Sequence, residues 1–156
     1  MIEMRNFGRL EVRYTSIPIN DDWNTGGIRD IHLADDSELF YLGGINDLIT
    51  IGENAEAALK GGKINGIRSY QYTDTKHIDL YSQPGWSWLY DDEDFDGIDE
   101  IVGITGLWQD DSDFTIGFIN DYTFGYDPVY MNINVIPEPT TLALLALGGL
   151  LIRGKK

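Results

Sequence analysis

The chain has 156 residues, with 26 acidic and 11 basic side chains and a formal net charge of −15. This charge excludes a nucleic-acid-binding role, because phosphate binding requires clustered Lys and Arg. The absence of Cys excludes a disulfide framework, thiolate zinc sites and Cys nucleophiles.

A short repeat runs through the first half of the chain, at about residues 26–80. Gly26-Gly27-Ile28 recurs as Gly43-Gly44-Ile45 and again as Gly61-Gly62-Lys63-Ile64, so the Gly pairs are 17 and 18 residues apart. This period suits one coil of a small parallel β-helix with three short strands and three tight turns. The Gly pairs are expected at the corners of the coils, where positive φ is needed.

The repeat also predicts which side chains stack in the core. Aligning the Gly pairs gives two apolar columns, which are Ile28/Ile45/Ile64 and Ile31/Leu48/Ile67. Between the Gly pairs, residues 36–39 correspond to residues 54–57. The alternative fold is a β-sandwich of ordinary hairpins with Gly-rich turns.

The repeat fades in the second part of the domain, at about residues 81–136. Segments rich in β-branched and aromatic residues, which are typical of strands, lie at 86–90, 101–108, 114–119 and 129–135. A plain acidic turn is expected at 110–113. We predict an antiparallel sheet that caps the coils, so that residues 1–136 form one all-β, acidic domain.

The densest acidic segment is 91–100, in which seven of ten residues are Asp or Glu. Oxygen ligands spaced along a loop with a Gly for the sharp turn are typical of a calcium site. The predicted ligands are Asp92, Asp94, Asp96 and Glu100. The EF-hand pattern fails because Gly103 stands where that loop needs a bidentate Glu. The alternative is a solvated acidic turn.

The spacing of the remaining polar residues does not indicate catalysis. His32 and His77 are 45 residues apart, and neither has a metal-spaced partner or a nearby Ser nucleophile. Carboxylates for a glycosidase are present in number, but basic residues for a polysaccharide-degrading groove are few. We therefore predict a protein that is not an enzyme.

Aromatic residues are the second feature that could serve binding. They are Tyr70, Tyr72, Tyr81, Trp86, Trp88 and Tyr90. An exposed, coplanar row would stack on sugar rings, whereas buried rings would belong to the core, which is the expected case for Trp and Tyr on alternating strand positions.

The last twenty residues have three parts in a fixed order. Pro137-Glu138-Pro139 comes first, an apolar run follows, and the basic residues Arg153, Lys155 and Lys156 end the chain. The apolar run consists of Leu142, Ala143, Leu144, Leu145, Ala146, Leu147, Gly148, Gly149, Leu150, Leu151 and Ile152. It is shorter than the roughly 20 residues of a conventional membrane span, and the basic end suits anionic lipid at the cytoplasmic face.

This order resembles the PEP-CTERM sorting signal of exosortase-processed bacterial proteins. The resemblance implies a short transmembrane helix that tethers the precursor, cleavage near the motif by an exosortase, and release to the cell surface or extracellular matrix. Residues 1–10 lack the apolar core of the signal peptide that such proteins normally carry. We therefore expect either a true start further upstream or a gene fragment.

The sequence thus predicts an exported, exosortase-sorted surface or extracellular-matrix protein with a structural role, stabilised by calcium. The alternative is a carbohydrate-binding module for extracellular polysaccharide. The net charge differs between the predicted domain and the sorting signal. Residues 1–136 carry a net charge of −17, and residues 137–156 carry a net charge of +2.

Overall fold

The computed structural model describes residues 1–13, 27–70, 77–91, 99–120 and 128–137. The described residues form twelve strands and one helical turn, so the predicted all-β class is confirmed. The helical turn is α1 (Val129–Asn132), between β11 and β12. The strands are β1 (Ile2–Met4), β2 (Arg9–Val12), β3 (Ile28–Leu33), β4 (Glu38–Tyr41), β5 (Ile45–Gly52), β6 (Glu56–Leu59), β7 (Lys63–Tyr70), β8 (Ile78–Ser82), β9 (Ser87–Asp91), β10 (Glu100–Leu107), β11 (Asp113–Phe118) and β12 (Ile133–Pro137).

The strands alternate between two sheets along the first half of the chain. The first sheet has seven strands in the order β1-β3-β5-β7-β11-β10-β9, and the second has five in the order β12-β8-β6-β4-β2. Each strand from β1 to β6 pairs in parallel with the strand two elements later. The described strands of this region therefore do not form the hairpins that the sandwich alternative requires.

Three of these parallel pairs, β3–β5, β4–β6 and β5–β7, have an offset of 18 residues. In the first sheet Ile31 pairs with Ile49, and Ile49 pairs with Ile67. In the second sheet Glu38 pairs with Glu56, which confirms the predicted match between residues 36–39 and 54–57. The register agrees with the 18-residue spacing of the second and third Gly pairs, whereas the first and second pairs are one residue closer together.

This single residue changes both predicted columns. Leu48 pairs with Asp30 and Gly66, while the fully buried column consists of Ile31, Ile49 and Ile67. Ile45 pairs with Lys63, and Asn46 takes the place expected for Ile45 between Ile28 and Ile64. A one-residue slip would turn the apolar side chains of β5 away from the core, because alternate residues of a strand face opposite sides.

Ten of the twelve described strands form five rungs, each with one strand in each sheet: β1/β2, β3/β4, β5/β6, β7/β8 and β11/β12. In the part of the chain that the structure describes, each rung thus has two strands rather than the three predicted. The fifth rung continues the stack because β11 pairs in parallel with β7 and β12 with β8. β9 and β10 lie between the fourth and fifth rungs in sequence and extend the first sheet as an antiparallel ladder with β11.

The predicted strands of the second half correspond to β9, β10 and β11, but the fourth does not form over its full length. Residues 129–132 of the predicted strand 129–135 are the helical turn α1, and the strand begins at Ile133. The antiparallel strands extend the first sheet instead of forming a separate cap. The predicted turn at 110–113 is confirmed for residues 110–112, and Asp113 already begins β11. Hydrogen bonds from Ser112 to Asp110 lower the pKa of that carboxyl.

Two kinds of corner join the strands: one connects successive rungs, and the other connects the two strands of a single rung. The predicted role of the Gly pairs is confirmed, because the second Gly of each pair has positive φ: Gly27 at 102°, Gly44 at 96° and Gly62 at 82°. At other corners Asn6, Asp35 and Glu53 have positive φ. They form a ladder in which the backbone N–H of Asn6 donates to Asp35 Oδ2 at 2.9 Å and the backbone N–H of Asp35 donates to Glu53 Oε2 at 2.8 Å. The bond from Asn6 lowers the pKa of Asp35.

Candidate functional site

The outer face of the second sheet carries a groove of about 230 Å³. The side chains of its surface come from alternate positions of β4, β6 and β8 and from the residue before β8. They are Glu38, Phe40, Glu56, Ala58, His77, Asp79 and Tyr81. The intervening residues Leu39, Ala57 and Leu80 are buried between the sheets, so the alternation of each strand separates the core from the groove.

The groove exists because a small residue lies among larger ones. Ala58 pairs with Phe40 on one side and with Asp79 on the other. Neighbouring parallel strands are about 4.8 Å apart, so Phe40 and Asp79 flank the methyl group of Ala58. The result is a depression that has the ring of Phe40 on one side, the carboxylate of Asp79 on the other and the methyl group of Ala58 at its floor.

Charged side chains surround this depression. The lining contains three carboxylates, those of Glu38, Glu56 and Asp79. Asn134 Nδ2 on β12 donates to Asp79 Oδ1 at 3.1 Å, which fixes one oxygen of that carboxylate.

Two cations lie over the aromatic rings of this face. The Arg9 guanidinium carbon is 4.2 Å from the centroid of the Phe40 ring, and Lys60 Nζ is 4.3 Å from that of the Tyr81 ring. Such contacts are attractive because the face of an aromatic ring is electronegative. Aromatic rings and carboxylates together are suited to binding a small polar ligand with an apolar side.

Sequence reasoning missed this groove, although part of the signal was present. The match between residues 36–39 and 54–57 places Glu38 beside Glu56 and implies that Phe40 lies beside Ala58. The contribution of β8 could not be found in this way, because Ala57 pairs with Ile78 at an offset of 21 residues.

The histidines and aromatic residues singled out in the sequence do not form one site. His32 Nε2 lies 3.1 Å from the hydroxyl of Tyr70 on the first sheet, whereas His77 and Tyr81 line the groove on the second. Trp86 and Trp88 are partly buried against the core, with ring planes at 74° to each other. Their rings are therefore not coplanar, and Tyr72 lies outside the described residues.

The predicted calcium ligands are only partly described. Glu100 is the first residue of β10 and pairs directly with Asp91 at the end of β9. Asp92, Asp94 and Asp96 lie outside the described residues. Within the part of the chain that the structure describes, no group of three or more His, Asp or Glu side chains is arranged to hold a metal ion.

The C-terminal segment leaves the domain directly from a paired strand. β12 pairs with β8 in parallel along its whole length, from Ile133 opposite Ile78 to Pro137 opposite Ser82. Val135 packs against the core and Pro137 is exposed.

The family model for the PEP-CTERM protein-sorting motif matches residues 135–156. Residues 135–156 are a PEP-CTERM protein-sorting motif. Such a motif indicates an exported protein whose membrane-anchored precursor is sorted to the cell surface through an exosortase.

The PEP-CTERM motif therefore overlaps the folded domain by three residues, 135–137. Of the sorting residues predicted from the sequence, Pro137 ends β12. Glu138, Pro139, the apolar run 142–152 and the basic end lie outside the described residues. In the described ranges no helix is long and apolar enough to cross a membrane. The curated proteins and the solved structures contain no match to the chain.

Proposed function

We propose that this chain is an exosortase substrate whose five-rung domain is exported, separated from its sorting tail, and retained at the cell surface or in the extracellular matrix. Its role there is structural and not enzymatic. The proposal rests on the PEP-CTERM motif at residues 135–156. We further propose that the rungs are a short parallel β-helix, which is supported by the 18-residue register and by the alternation of strands between two sheets.

The position of the motif would allow the domain to stay folded after its C-terminal tail is cleaved off. All five residues of β12 are paired, so the fifth rung is complete at Pro137. Cleavage after this residue would remove the apolar, basic tail without removing a strand. The product would retain the acidic domain, whose high net negative charge favours solubility.

Processing can be tested by the intact mass of the mature protein from exosortase-competent cells. We expect wild-type protein to lack residues 140–156, and Glu138→Ala protein to retain them because the motif is broken. Glu3→Ala, which changes an exposed acid on β1, is the matched control and should be processed like wild type. Wild-type protein that keeps residues 140–156 in these cells would contradict the proposal.

Calcium is proposed to stabilise the loop between β9 and β10. The supporting observation is that Asp91 and Glu100 are directly opposite each other in the antiparallel ladder. Like charges in this position are destabilising, and a bound cation would relieve the repulsion. Asp92, Asp94, Asp96 and Glu100 are the proposed ligands.

The calcium proposal predicts that removal of the ion lowers the melting temperature. Calcium at 100 times its Kd adds about 2.7 kcal/mol to the free energy of unfolding, which corresponds to a shift of about 5 °C or more. Melting with calcium and with EGTA measures this shift. Asp94→Asn should abolish it and Asp110→Asn, in another acidic turn, should not. A wild-type shift below about 1 °C would rule calcium out.

Carbohydrate binding is the second candidate function. The observation that favours it is the groove on the second sheet, where Phe40 and Tyr81 offer aromatic surface beside Glu56 and Asp79. Aromatic rings stack on the apolar faces of sugar rings, and carboxylates accept hydrogen bonds from hydroxyl groups. Extracellular polysaccharide is the proposed partner of this site.

A further inference from the structure

We infer that the groove on the second sheet binds an amino sugar, a hexosamine unit whose amino group is free and protonated. The inference rests on the second candidate function, carbohydrate binding, and specifies the class of saccharide. It is carried by the carboxylates of the groove, by its size and by the aromatic side chains that line it.

The charge of the lining selects against anionic saccharides. Glu38, Glu56 and Asp79 are its acidic side chains. Among the described residues neither Lys nor Arg belongs to the lining, and the nearest cations, Arg9 and Lys60, lie over the rings of Phe40 and Tyr81 at its edge. Glu38 and Glu56 are register partners on adjacent strands, so their carboxylates arise from Cα atoms about 5 Å apart. A uronic acid placed here would meet like charge, whereas an ammonium group would be attracted by all three carboxylates.

The aromatic side chains add an apolar surface on which a sugar ring can pack. Phe40 already has Arg9 over its ring, and Tyr81 has Lys60 over its ring. In both contacts a cation of the protein itself covers one face of the ring, so a ligand packs on the other face or on the ring edge. An amino sugar combines an ammonium group with a ring whose C–H face can pack on aromatic carbon.

The dimensions of the groove suit one sugar unit at a time. Its volume of about 230 Å³ is below the range of roughly 300–1,000 Å³ that is typical for drug-sized ligands. Ala58 forms the floor, and the bond from Asn134 to one oxygen of Asp79 leaves the second oxygen to accept from a ligand. Because the groove is partly open to solvent, an oligosaccharide can extend beyond it.

Calorimetric titration of the full chain with a trimer of glucosamine tests the inference, with the fully N-acetylated trimer as the neutral analogue. We expect the glucosamine trimer to bind at least tenfold more tightly, and its binding to weaken when NaCl is raised from 50 to 500 mM, because salt screens exposed charges. Ala58→Trp should abolish binding by filling the groove. Glu56→Gln and Asp79→Asn should each weaken binding by about tenfold, since hydrogen bonds to charged groups contribute about 1.5–3 kcal/mol.

Two controls keep the result specific to the groove. Asp113→Asn removes an exposed acid from the other sheet and should leave binding unchanged. A circular dichroism melt of each variant shows whether it is folded, and Asp79→Asn replaces Ala58→Trp as the deciding variant if the latter unfolds.

The outcomes separate the inference from the function on which it rests. Equal or tighter binding of the N-acetylated trimer, lost in Ala58→Trp, would overturn the amino-sugar inference and leave carbohydrate binding standing. Binding of the glucosamine trimer that is unchanged in every groove variant would show a nonspecific charge effect and would overturn the inference. Failure of both trimers to bind would overturn the inference and remove the support for carbohydrate binding at this groove.

Discussion

Replacing Trp108 by Ala is expected to lower the free energy of unfolding by about 3–5 kcal/mol, the usual cost of removing a large buried aromatic side chain. Trp108 is fully buried, and its ring centroid lies 4.4 Å from that of Phe114. Its Nε1 donates to Gly62 O at 2.8 Å. The side chain therefore joins the end of the antiparallel ladder to a corner of the repeat region.

Denaturant unfolding of three variants can separate the parts of this effect. Trp108→Phe keeps an aromatic ring but leaves Gly62 O without its donor, so we expect a smaller loss of about 1–3 kcal/mol. Tyr90→Ala is the matched control, because this aromatic side chain of the same ladder is 59% exposed, and it should change stability by less than about 0.5 kcal/mol. A loss below about 1 kcal/mol for Trp108→Ala would show that Trp108 does not hold the two regions together.

The repeat region illustrates how far local sequence determines this fold. The Gly pairs correctly predict corners with positive φ, because few other residues tolerate that conformation. They do not determine the register, since the first Gly pair is one residue out of phase with the strands. The alternation of Ile31 and Leu33, paired with Ile49 and Ile51, decides the register by placing four apolar side chains in the core.

The fifth rung could not be predicted from the sequence, because its strands lack the repeat. β11 pairs with β7 and β12 pairs with β8, although β9 and β10 lie between these partners in the sequence. Such long-range pairing depends on which apolar surfaces remain uncovered after the first four rungs have stacked. The strand propensities of residues 114–119 predict a strand but not its partner.

The candidate groove was partly predictable for a related reason. Glu38 and Glu56 occupy equivalent positions of the repeat, so their proximity follows from the 18-residue period. Asp79 and Tyr81 come from β8, whose offset from β6 is three residues longer. The pairing of β6 with β8 in the structure is needed to show that Asp79 and Tyr81 lie on the same face of the sheet as Phe40 and Ala58.

Replacing Gly62 by Ala is expected to lower the free energy of unfolding by about 3 kcal/mol or more, from two separate sources. Gly62 has a φ of 82°, and a Cβ atom there would lie 2.5 Å from Gly44 O and 2.9 Å from Gly43 C. Positive φ alone costs an L-residue roughly 1–2 kcal/mol. The remaining cost arises because the preceding rung is about 4.8 Å away, and its backbone cannot move without breaking the ladder.

Gly85 provides the control that separates strain from crowding. Its φ is 105°, but a Cβ atom there would have no neighbour within 4 Å, so Gly85→Ala should cost only the roughly 1–2 kcal/mol of positive φ. Gly27→Ala tests the same corner in another rung, because its Cβ would lie 2.8 Å from Ile45 O. Equal losses for Gly62→Ala and Gly85→Ala in denaturant unfolding would mean that the corners can relax. A larger loss at Gly62 and Gly27 would mean that close stacking, and not turn conformation alone, requires Gly at these corners.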